Sequence, residues 1–211
     1  MPACYQPRCF ILIFDMTLPE KLKDYRVILA SASPRRHSLL KGLGIDFEVV
    51  VRETRETFPE HLQREEIPVY LAELKSAAYN PDEFGPKTLV ITADTIVWLD
   101  GCIIGKPENK EHAISLLKQL SGKCHEVYTG VCLKTKKTIH CFHACSKVSF
   151  RTLSDEEILW YVNHYQPFDK AGAYGAQEWI GFAGIEHIEG SFYNVMGLPT
   201  QKLYVELEKI L

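Results

Sequence analysis

Residues 27–36, with the sequence VILASASPRR, give the clearest indication of the fold class. It opens with an apolar run that is β-branched at its start, which predicts a short buried strand. Ser33 and Pro34 follow, and a serine at the N-cap with a proline at the first helical position is a common helix start. The stretch therefore predicts a strand that leads through a short loop into a helix, which is the repeating unit of an α/β protein.

The rest of the sequence alternates between strand and helix patterns. Apolar side chains at helical spacing predict further helices over 67–78, 113–120, 154–162 and 203–210. Strands are predicted over 27–30, 47–51, 88–98, 103–104, 125–134 and 138–150. Asp100-Gly101 predicts a hairpin turn between two of them. Because a hairpin lies among strand–helix units, we expect a single α/β domain with a mixed, twisted β-sheet flanked by helices.

The composition is that of a globular protein: 46% of the 211 residues are hydrophobic and 24% are charged. The net charge of −3 argues against broad binding to nucleic acid, which requires a basic face. No apolar run approaches the ~20 residues of a membrane helix. We therefore expect neither nucleic acid nor a membrane as a partner. We also expect residues 1–15 to be a non-essential extension and 16–211 to form the domain.

The cysteine pattern indicates a reducing compartment. The seven cysteines are odd in number and form no CxxC motif, so we expect free thiols and a cytoplasmic location. Cys141, His143 and Cys145 alternate in one predicted strand, and this set superficially suits zinc. An ordinary strand with surface imidazoles is the favoured interpretation, because structural zinc sites usually have a second, closely spaced ligand pair.

The first segment with chemical character is Ser31–Arg36, at the predicted start of a helix. A helix N-terminus presents free backbone N–H groups and a positive dipole end. The hydroxyls of Ser31 and Ser33 and the guanidinium groups of Arg35 and Arg36 would add to an anion site there. We therefore predict phosphate binding, and the alternative is a capped helix whose arginines point into solvent.

Asp94 lies inside the apolar run Ile91–Val97. A carboxylate in such a strand is costly unless it is paired, hydrogen-bonded or bound to a metal. An aspartate at this place can hold Mg²⁺ or activate water. The alternative is an aspartate that caps a neighbouring turn.

Two glycine-containing segments are further candidates for ligand contact. Gly105 precedes Lys106 close to the predicted hairpin, although by itself Lys106 resembles a plain surface lysine. In the segment Asp169–Gln177, small residues alternate with Lys170 and Gln177, so a ligand could approach the backbone closely. The Gln177 amide offers a donor and an acceptor, as reading a pyrimidine edge requires. The alternative is a glycine-rich loop around a packed tyrosine.

Five motifs in this order resemble the Maf family of nucleoside triphosphate pyrophosphatases: SASPRR at 31–36, ADTIV at 93–97, GKP at 105–107, DKAGAYGAQ at 169–177 and GSFYNVMGLP at 190–199. The resemblance runs from about residue 26 to the C-terminus and implies an inosine-triphosphatase-like fold, a Mg²⁺ or Mn²⁺ cofactor and a homodimer. The segment from Lys170 to Gln177 resembles the branch that hydrolyses dTTP and UTP. The segment 190–199 has no chemical interpretation by itself.

The resemblance also implies roles for the acidic residues. Asp94 matches the catalytic acid of the family, which accepts a proton. Glu56 resembles an acidic position that helps to hold the metal together with Asp94. Glu53 lies nearby and is an alternative for that role.

Further roles implied by the resemblance concern the substrate. Arg35, Thr95 and Gln177 match positions that determine substrate specificity, and Lys75 and Lys106 resemble lysines that contact phosphate. The expected function is hydrolysis of dTTP and UTP, or of modified pyrimidine nucleotides, to the nucleoside monophosphate and diphosphate. The alternatives are a non-catalytic nucleotide-binding regulator of cell division and a pyrophosphatase for other nucleotides such as 7-methyl-GTP.

Overall fold

The computed structural model describes residues 16–211, and its centre is a seven-stranded β-sheet. Its strands are β1 (Arg26–Leu29), β2 (Glu48–Val49), β3 (Thr88–Leu99), β4 (Cys102–Ile104), β5 (Cys124–Lys134), β6 (Ile139–Phe150) and β7 (Ile185–Glu189). They follow the order β2-β1-β3-β5-β6-β7, with β4 paired to β3. β1 pairs in parallel with β2 and β3, and the remaining pairs are antiparallel. The predicted mixed sheet is confirmed; the predicted extension, 1–15, lies outside the described residues.

Helices flank the sheet on both faces, as predicted. They are α1 (Leu18–Leu22), α2 (Pro34–Gly42), α3 (Glu66–Ala77), α4 (Lys110–Leu120), α5 (Asp155–Tyr165), α6 (Trp179–Gly184), α7 (Phe192–Val195) and α8 (Thr200–Ile210). Side chains alternate between the faces of a strand. Ile96 and Trp98 of β3 accordingly pack against α3, whereas Leu89 and Ile91 pack against α2 and α8. Within residues 16–211 no helix has the length and apolar character needed to cross a bilayer.

The β1–α2 unit forms as the sequence predicts. The strand is buried along Val27–Leu29, Ser33 occupies the N-cap position of α2, and Pro34 is the first helical residue. The Ser33 side chain makes no capping hydrogen bond with the described residues, so its hydroxyl remains available at the helix start. The chain leaves α2 through Gly44, whose φ of +71° is readily adopted by glycine.

A gap in one edge of β3 creates the opening for a site. β1 pairs with Thr88–Ile91 and β4 pairs with Val97–Leu99, whereas β5 runs along the opposite edge. Between β1 and β4, Thr92–Ile96 therefore has no strand partner at this edge among the described residues. The gap leaves Asp94 and Thr95 accessible in the middle of a central strand.

The observed elements differ from the predicted ones at the edges of the sheet. The strand predicted over 47–51 is reduced to Glu48–Val49, which is exposed and, within residues 16–211, pairs with β1 alone. The helices α6 and α7 and the strand β7 were not predicted. Ile185–Glu189 has the sequence IEHIE, and its glutamates and histidine are tolerated because β7, in the described part of the chain, pairs with β6 alone and lies at the edge of the sheet. The other predicted helices and strands are confirmed, with ends shifted by one or a few residues.

Gly130 in β5 provides a test of how α3 packs on the sheet. A Cβ atom at this position would lie 2.3 Å from backbone atoms of Pro68 in α3, so alanine would force the helix away. We expect Gly130→Ala to lower the free energy of unfolding by about 1–3 kcal/mol, as measured by urea denaturation. Gly42→Ala is the matched control, because no atom lies within 4 Å of its added Cβ, and it should change stability by less than about 1 kcal/mol. Equal stability of the two variants would contradict direct packing of α3 on β5.

Candidate active site

A cleft of about 690 Å³ lies at the gap in β3. All the predicted site residues line this cleft: Ser31, Ser33, Arg35, Arg36, Glu56, Lys75, Asp94, Thr95, Lys106, Lys170 and Gln177. The lining contains six basic and four acidic side chains, so the cleft carries positive charge although the whole chain carries −3. Such a focused positive field attracts an anionic ligand.

The start of α2 forms one wall of the cleft. The hydroxyl of Ser31 accepts a hydrogen bond from the backbone N–H of Ser33 at 3.3 Å and orders the turn into the helix. Arg35 follows in the first helical turn, where free N–H groups and the helix dipole are also positive. This arrangement suits a phosphate group.

Arg36 joins three segments of the chain. Its guanidinium donates to the carbonyl oxygens of Gly197 (2.8 Å) and Ala93 (2.9 Å) and to Oγ1 of Thr95 (3.0 Å). The Ala93 carbonyl belongs to the gap in β3, so Arg36 supplies the hydrogen bond that a neighbouring strand would otherwise give. Burial lowers the pKa of Arg36, while the carboxylate of Asp94 opposes this effect. Arg36 therefore connects α2 with β3 and with the segment around Gly197. This structural role was not predicted from the sequence.

Lys75 connects the two predicted carboxylates. Its Nζ lies 2.6 Å from Oδ1 of Asp94 and 2.8 Å from Oε1 of Glu56. Burial would raise the pKa of Glu56, but the hydrogen bond from Lys75 and other nearby positive charges outweigh it and lower the pKa below its usual value. Glu53 also lines the cleft, but the carboxylate in contact with Lys75 is that of Glu56. The geometry thus favours Glu56 as the partner of Asp94.

The two predicted glycine-containing segments meet beside Lys75 and its two carboxylates. The N–H of Gly172 donates to the carbonyl oxygen of Gly105 at 3.0 Å, which joins the segment 105–107 to the segment 169–177. Lys106 lies next to this contact and contributes to the low pKa of Glu56. Lys106 therefore lines the cleft as predicted, and it is exposed there.

Asp169 lies between two cations. Its Oδ2 accepts from Arg35 at 2.8 Å and its Oδ1 accepts from Lys170 at 2.7 Å. Burial would raise the pKa of Asp169, but these hydrogen bonds lower it to about 2. The buried ammonium of Lys170 also contacts Glu178 at 3.1 Å. Lys170 therefore stabilises its own loop, and its predicted contact with substrate would have to compete with two carboxylates.

The other end of the cleft is apolar and surrounds Gln177. Its walls include Val97, Val127, Tyr174, Val195 and Met196. The Oε1 atom of Gln177 is buried and has no hydrogen-bond partner among the described residues. A buried acceptor without a partner is unfavourable, and a ligand with an N–H group would satisfy it. This end of the cleft therefore suits a flat heterocyclic base.

Two residues with contacts at the cleft have no role that is predicted from the sequence. Arg52 donates to the carbonyl oxygen of Ala78 and to Glu83, and it stacks over the ring of Tyr79 at 5.0 Å. The only feature of the sequence that points to Arg52 is its position directly after the predicted strand 47–51. Asp169 was part of a motif, but its contact with Arg35, 134 positions away, has no sequence signal.

The predicted strand 138–150 shows no zinc site. Among residues 16–211, no three metal-ligating side chains converge. Cys141 instead lies 2.7 Å from Cys132 on the neighbouring strand, sulfur to sulfur, and the ring of His140 contacts Glu206 at 2.8 Å. The interpretation as an ordinary strand fits these contacts.

Comparison with known proteins gives close relatives. The chain is 53% identical over 190 residues to the dTTP/UTP pyrophosphatase of Bacteroides fragilis, a match that covers 90% of this chain and 98% of the relative. It is 55% identical over 192 residues to the protein of the same name from Phocaeicola vulgatus, with 90% and 99% covered. Among solved structures, the Staphylococcus aureus Ham1 protein is similar in fold, with a TM-score of 0.51, 15% identity, and coverage of 88% of this chain and 100% of that one.

The match to a protein family spans nearly all the described residues. The family described as Maf-like protein matches residues 26–210, which include every segment that lines the cleft. The chain therefore belongs to the Maf-like protein family.

Proposed function

We propose that the chain is a nucleoside triphosphate pyrophosphatase that hydrolyses dTTP and UTP to the nucleoside monophosphate and diphosphate. The observation that carries this proposal is the contact of Lys75 with Asp94 in the same cleft as the start of α2 and the apolar end around Gln177. The relatives named dTTP/UTP pyrophosphatase support it.

The phosphate chain would bind along the positive side of the cleft. Arg35 and the free N–H groups at the start of α2 are suited to one part of it, and Lys75 and Lys106 are suited to another. Neutralising the negative charge of the phosphates favours attack by water and stabilises the leaving diphosphate. Ser31 and Ser33 supply hydroxyl groups at the same helix start.

Asp94 would act as the general base. Its Oδ1 accepts the hydrogen bond from Lys75, which orients the carboxylate and leaves Oδ2 to accept a proton from water. The water would attack the α-phosphorus, and the bond between that phosphorus and the oxygen leading to the β-phosphate would break. The diphosphate then leaves with that oxygen.

A divalent cation, Mg²⁺ or Mn²⁺, is part of the proposal. The carboxylates of Asp94 and Glu56 both contact the ammonium of Lys75, so the space between the two carboxylates stabilises a positive charge. Two carboxylates together with substrate phosphates are the usual ligands of Mg²⁺. Asp94 and Glu56 would hold the cation, which would lower the charge on the phosphates.

The proposal extends to the cellular setting of the enzyme. Five cysteines of residues 16–211 have free thiols, which accords with a reducing cytoplasm. The net charge of −3 disfavours binding to nucleic acid or an anionic membrane surface, whereas the basic side chains of the cleft suit a small anionic ligand. A homodimer is proposed from the family resemblance.

A panel of nucleotides tests the proposed function. Diphosphate release would be measured for dTTP, UTP, CTP, GTP and 7-methyl-GTP, with Mg²⁺ or Mn²⁺ and with a chelator as control. We expect the highest kcat/KM for dTTP and UTP, because the cleft combines a phosphate site with an apolar end and because the relatives bear the name dTTP/UTP pyrophosphatase. Binding without release of diphosphate would instead support a non-catalytic regulator, and preference for 7-methyl-GTP would support the other substrate class.

Replacement of Asp94 tests the proposed mechanism. Asp94→Asn keeps the size of the side chain but removes the base, so kcat should fall by about 10²–10⁴-fold while the melting temperature stays close to that of the wild type. Asp100→Asn is a matched control in the exposed β3–β4 turn, where φ is 51° and asparagine is well tolerated. Turnover by Asp94→Asn similar to that of Asp100→Asn would refute the role of Asp94.

A further inference from the structure

Thr129 in β5 is fully buried and lies directly opposite Thr95 in β3. The two hydroxyl oxygens are 2.9 Å apart, and Thr129 Oγ1 is also 3.2 Å from the main-chain oxygen of Asn194. On its other side, Thr95 Oγ1 accepts a hydrogen bond from Nη2 of Arg36 at 3.0 Å. Arg36, Thr95, Thr129 and Asn194 are therefore connected in series by hydrogen bonds. Thr95 is one of the residues that line the cleft.

The two ends of this series of hydrogen bonds have fixed donor and acceptor roles. A guanidinium can only donate hydrogen bonds and a carbonyl oxygen can only accept them, whereas each threonine has a single proton. All three hydrogen bonds form only when Thr95 donates to Thr129 and Thr129 donates to the carbonyl of Asn194. In the reverse arrangement Thr129 donates to Thr95, and its bond to Asn194 is lost. Because Thr129 is fully buried, water does not replace that bond, so the complete series is favoured.

We propose that Thr129 fixes the Thr95 hydroxyl as a hydrogen-bond acceptor towards the cleft, so that the site selects a base with an N–H group over a base with a lone pair at the same place. The inference rests on the proposed function, since it concerns the base of the same nucleotide. Uracil and thymine carry N–H at ring nitrogen 3, whereas cytosine has a lone pair there. Thr129 is thus a positioning residue for selection of uridine and thymidine nucleotides over cytidine nucleotides.

The position of Thr95 in the cleft fits a contact with the base. Val97 follows Thr95 on the same face of β3 and belongs to one hydrophobic cluster with Val127 and Ala176, the residue before Gln177. Thr95 therefore borders the apolar end that surrounds Gln177. On the other side lies Gly197: a Cβ placed on it would be in ordinary van der Waals contact with Thr95 Oγ1, at 3.6 Å.

Gln177 alone would not make this selection. Its amide has an oxygen that accepts and an NH₂ group that donates, and rotation by 180° exchanges their places. The amide can thus present an acceptor to uracil N–H or a donor to the cytosine lone pair. A neighbouring group of fixed polarity is needed to distinguish the two bases, and Thr95 held by Thr129 is such a group.

Thr129→Val tests the inference, because valine keeps the shape of threonine and removes the hydroxyl. The kcat/KM values for UTP and CTP would be measured, together with the Kd values of the non-hydrolysable α,β-imido analogues of both nucleotides. Without Thr129 as acceptor, the Thr95 hydroxyl is free to turn and donate to cytosine. The preference for UTP over CTP should therefore fall by about five- to tenfold, which corresponds to one net hydrogen bond. Thr129→Ser retains the hydroxyl and should keep the wild-type preference.

Thr92→Val is the matched control. Thr92 is also a fully buried strand threonine, but its hydroxyl donates to the carbonyl oxygen of Ala72 at 2.6 Å and does not line the cleft. Thr92→Val should lower the melting temperature and leave the preference unchanged. If Thr129→Val does not fold, Thr129→Ala compared with Thr129→Ser provides the same test.

The outcomes separate this inference from the proposed function. An unchanged preference in Thr129→Val, an equal loss in Thr92→Val, or a wild type that binds both analogues equally would overturn the role of Thr129. Absence of diphosphate release from every nucleotide by the wild type would refute the proposed function instead. In that case the ratio of the two analogue Kd values still tests Thr129.

Discussion

The guanidinium of Arg36 bonds to the strand edge that is left unpaired in the gap of β3, and the architecture of the cleft rests on this interaction. β1 and β4 pair with separate parts of the same edge, and the Ala93 carbonyl between them is satisfied by Arg36. The same side chain binds Gly197 and Thr95. One half-buried cation thereby holds α2, the central strand and the segment before α8 around a shared opening, which a continuous sheet would not provide.

The charged groups of the cleft are arranged as connected pairs rather than as isolated ions. Lys75 contacts Asp94 and Glu56, and Asp169 contacts Arg35 and Lys170. These charged side chains thus have partners of opposite sign, which offset the cost of removing them from water. Asp169 forms ion pairs with both Arg35 at the helix start and Lys170 near Gln177. These ion pairs connect the phosphate side of the cleft with its apolar side.

Much of this arrangement could be predicted from sequence, because local patterns specify local structure. The β1–α2 unit and the Asp100-Gly101 hairpin follow from turn and capping residues, and the motifs identified the lining residues. Contacts between distant segments could not be predicted. The bond from Arg36 to Gly197 and the pairing of Thr129 with Thr95 depend on strand register and on the final packing of α2, neither of which leaves a periodic signal. For the same reason the edge strand β7, short and rich in charge, was missed.

The convergence of distant segments on one nucleotide is the central claim, and a crystal structure of the Asp94→Asn variant with dTTP and Mg²⁺ tests it most directly. We expect the triphosphate to contact Arg35, Lys75 and Lys106, the bond between the α- and β-phosphates to lie beside residue 94, and the base to lie against Gln177. A triphosphate bound outside this cleft, or one that enters it with the base at the start of α2, would refute the convergence of these segments on one nucleotide.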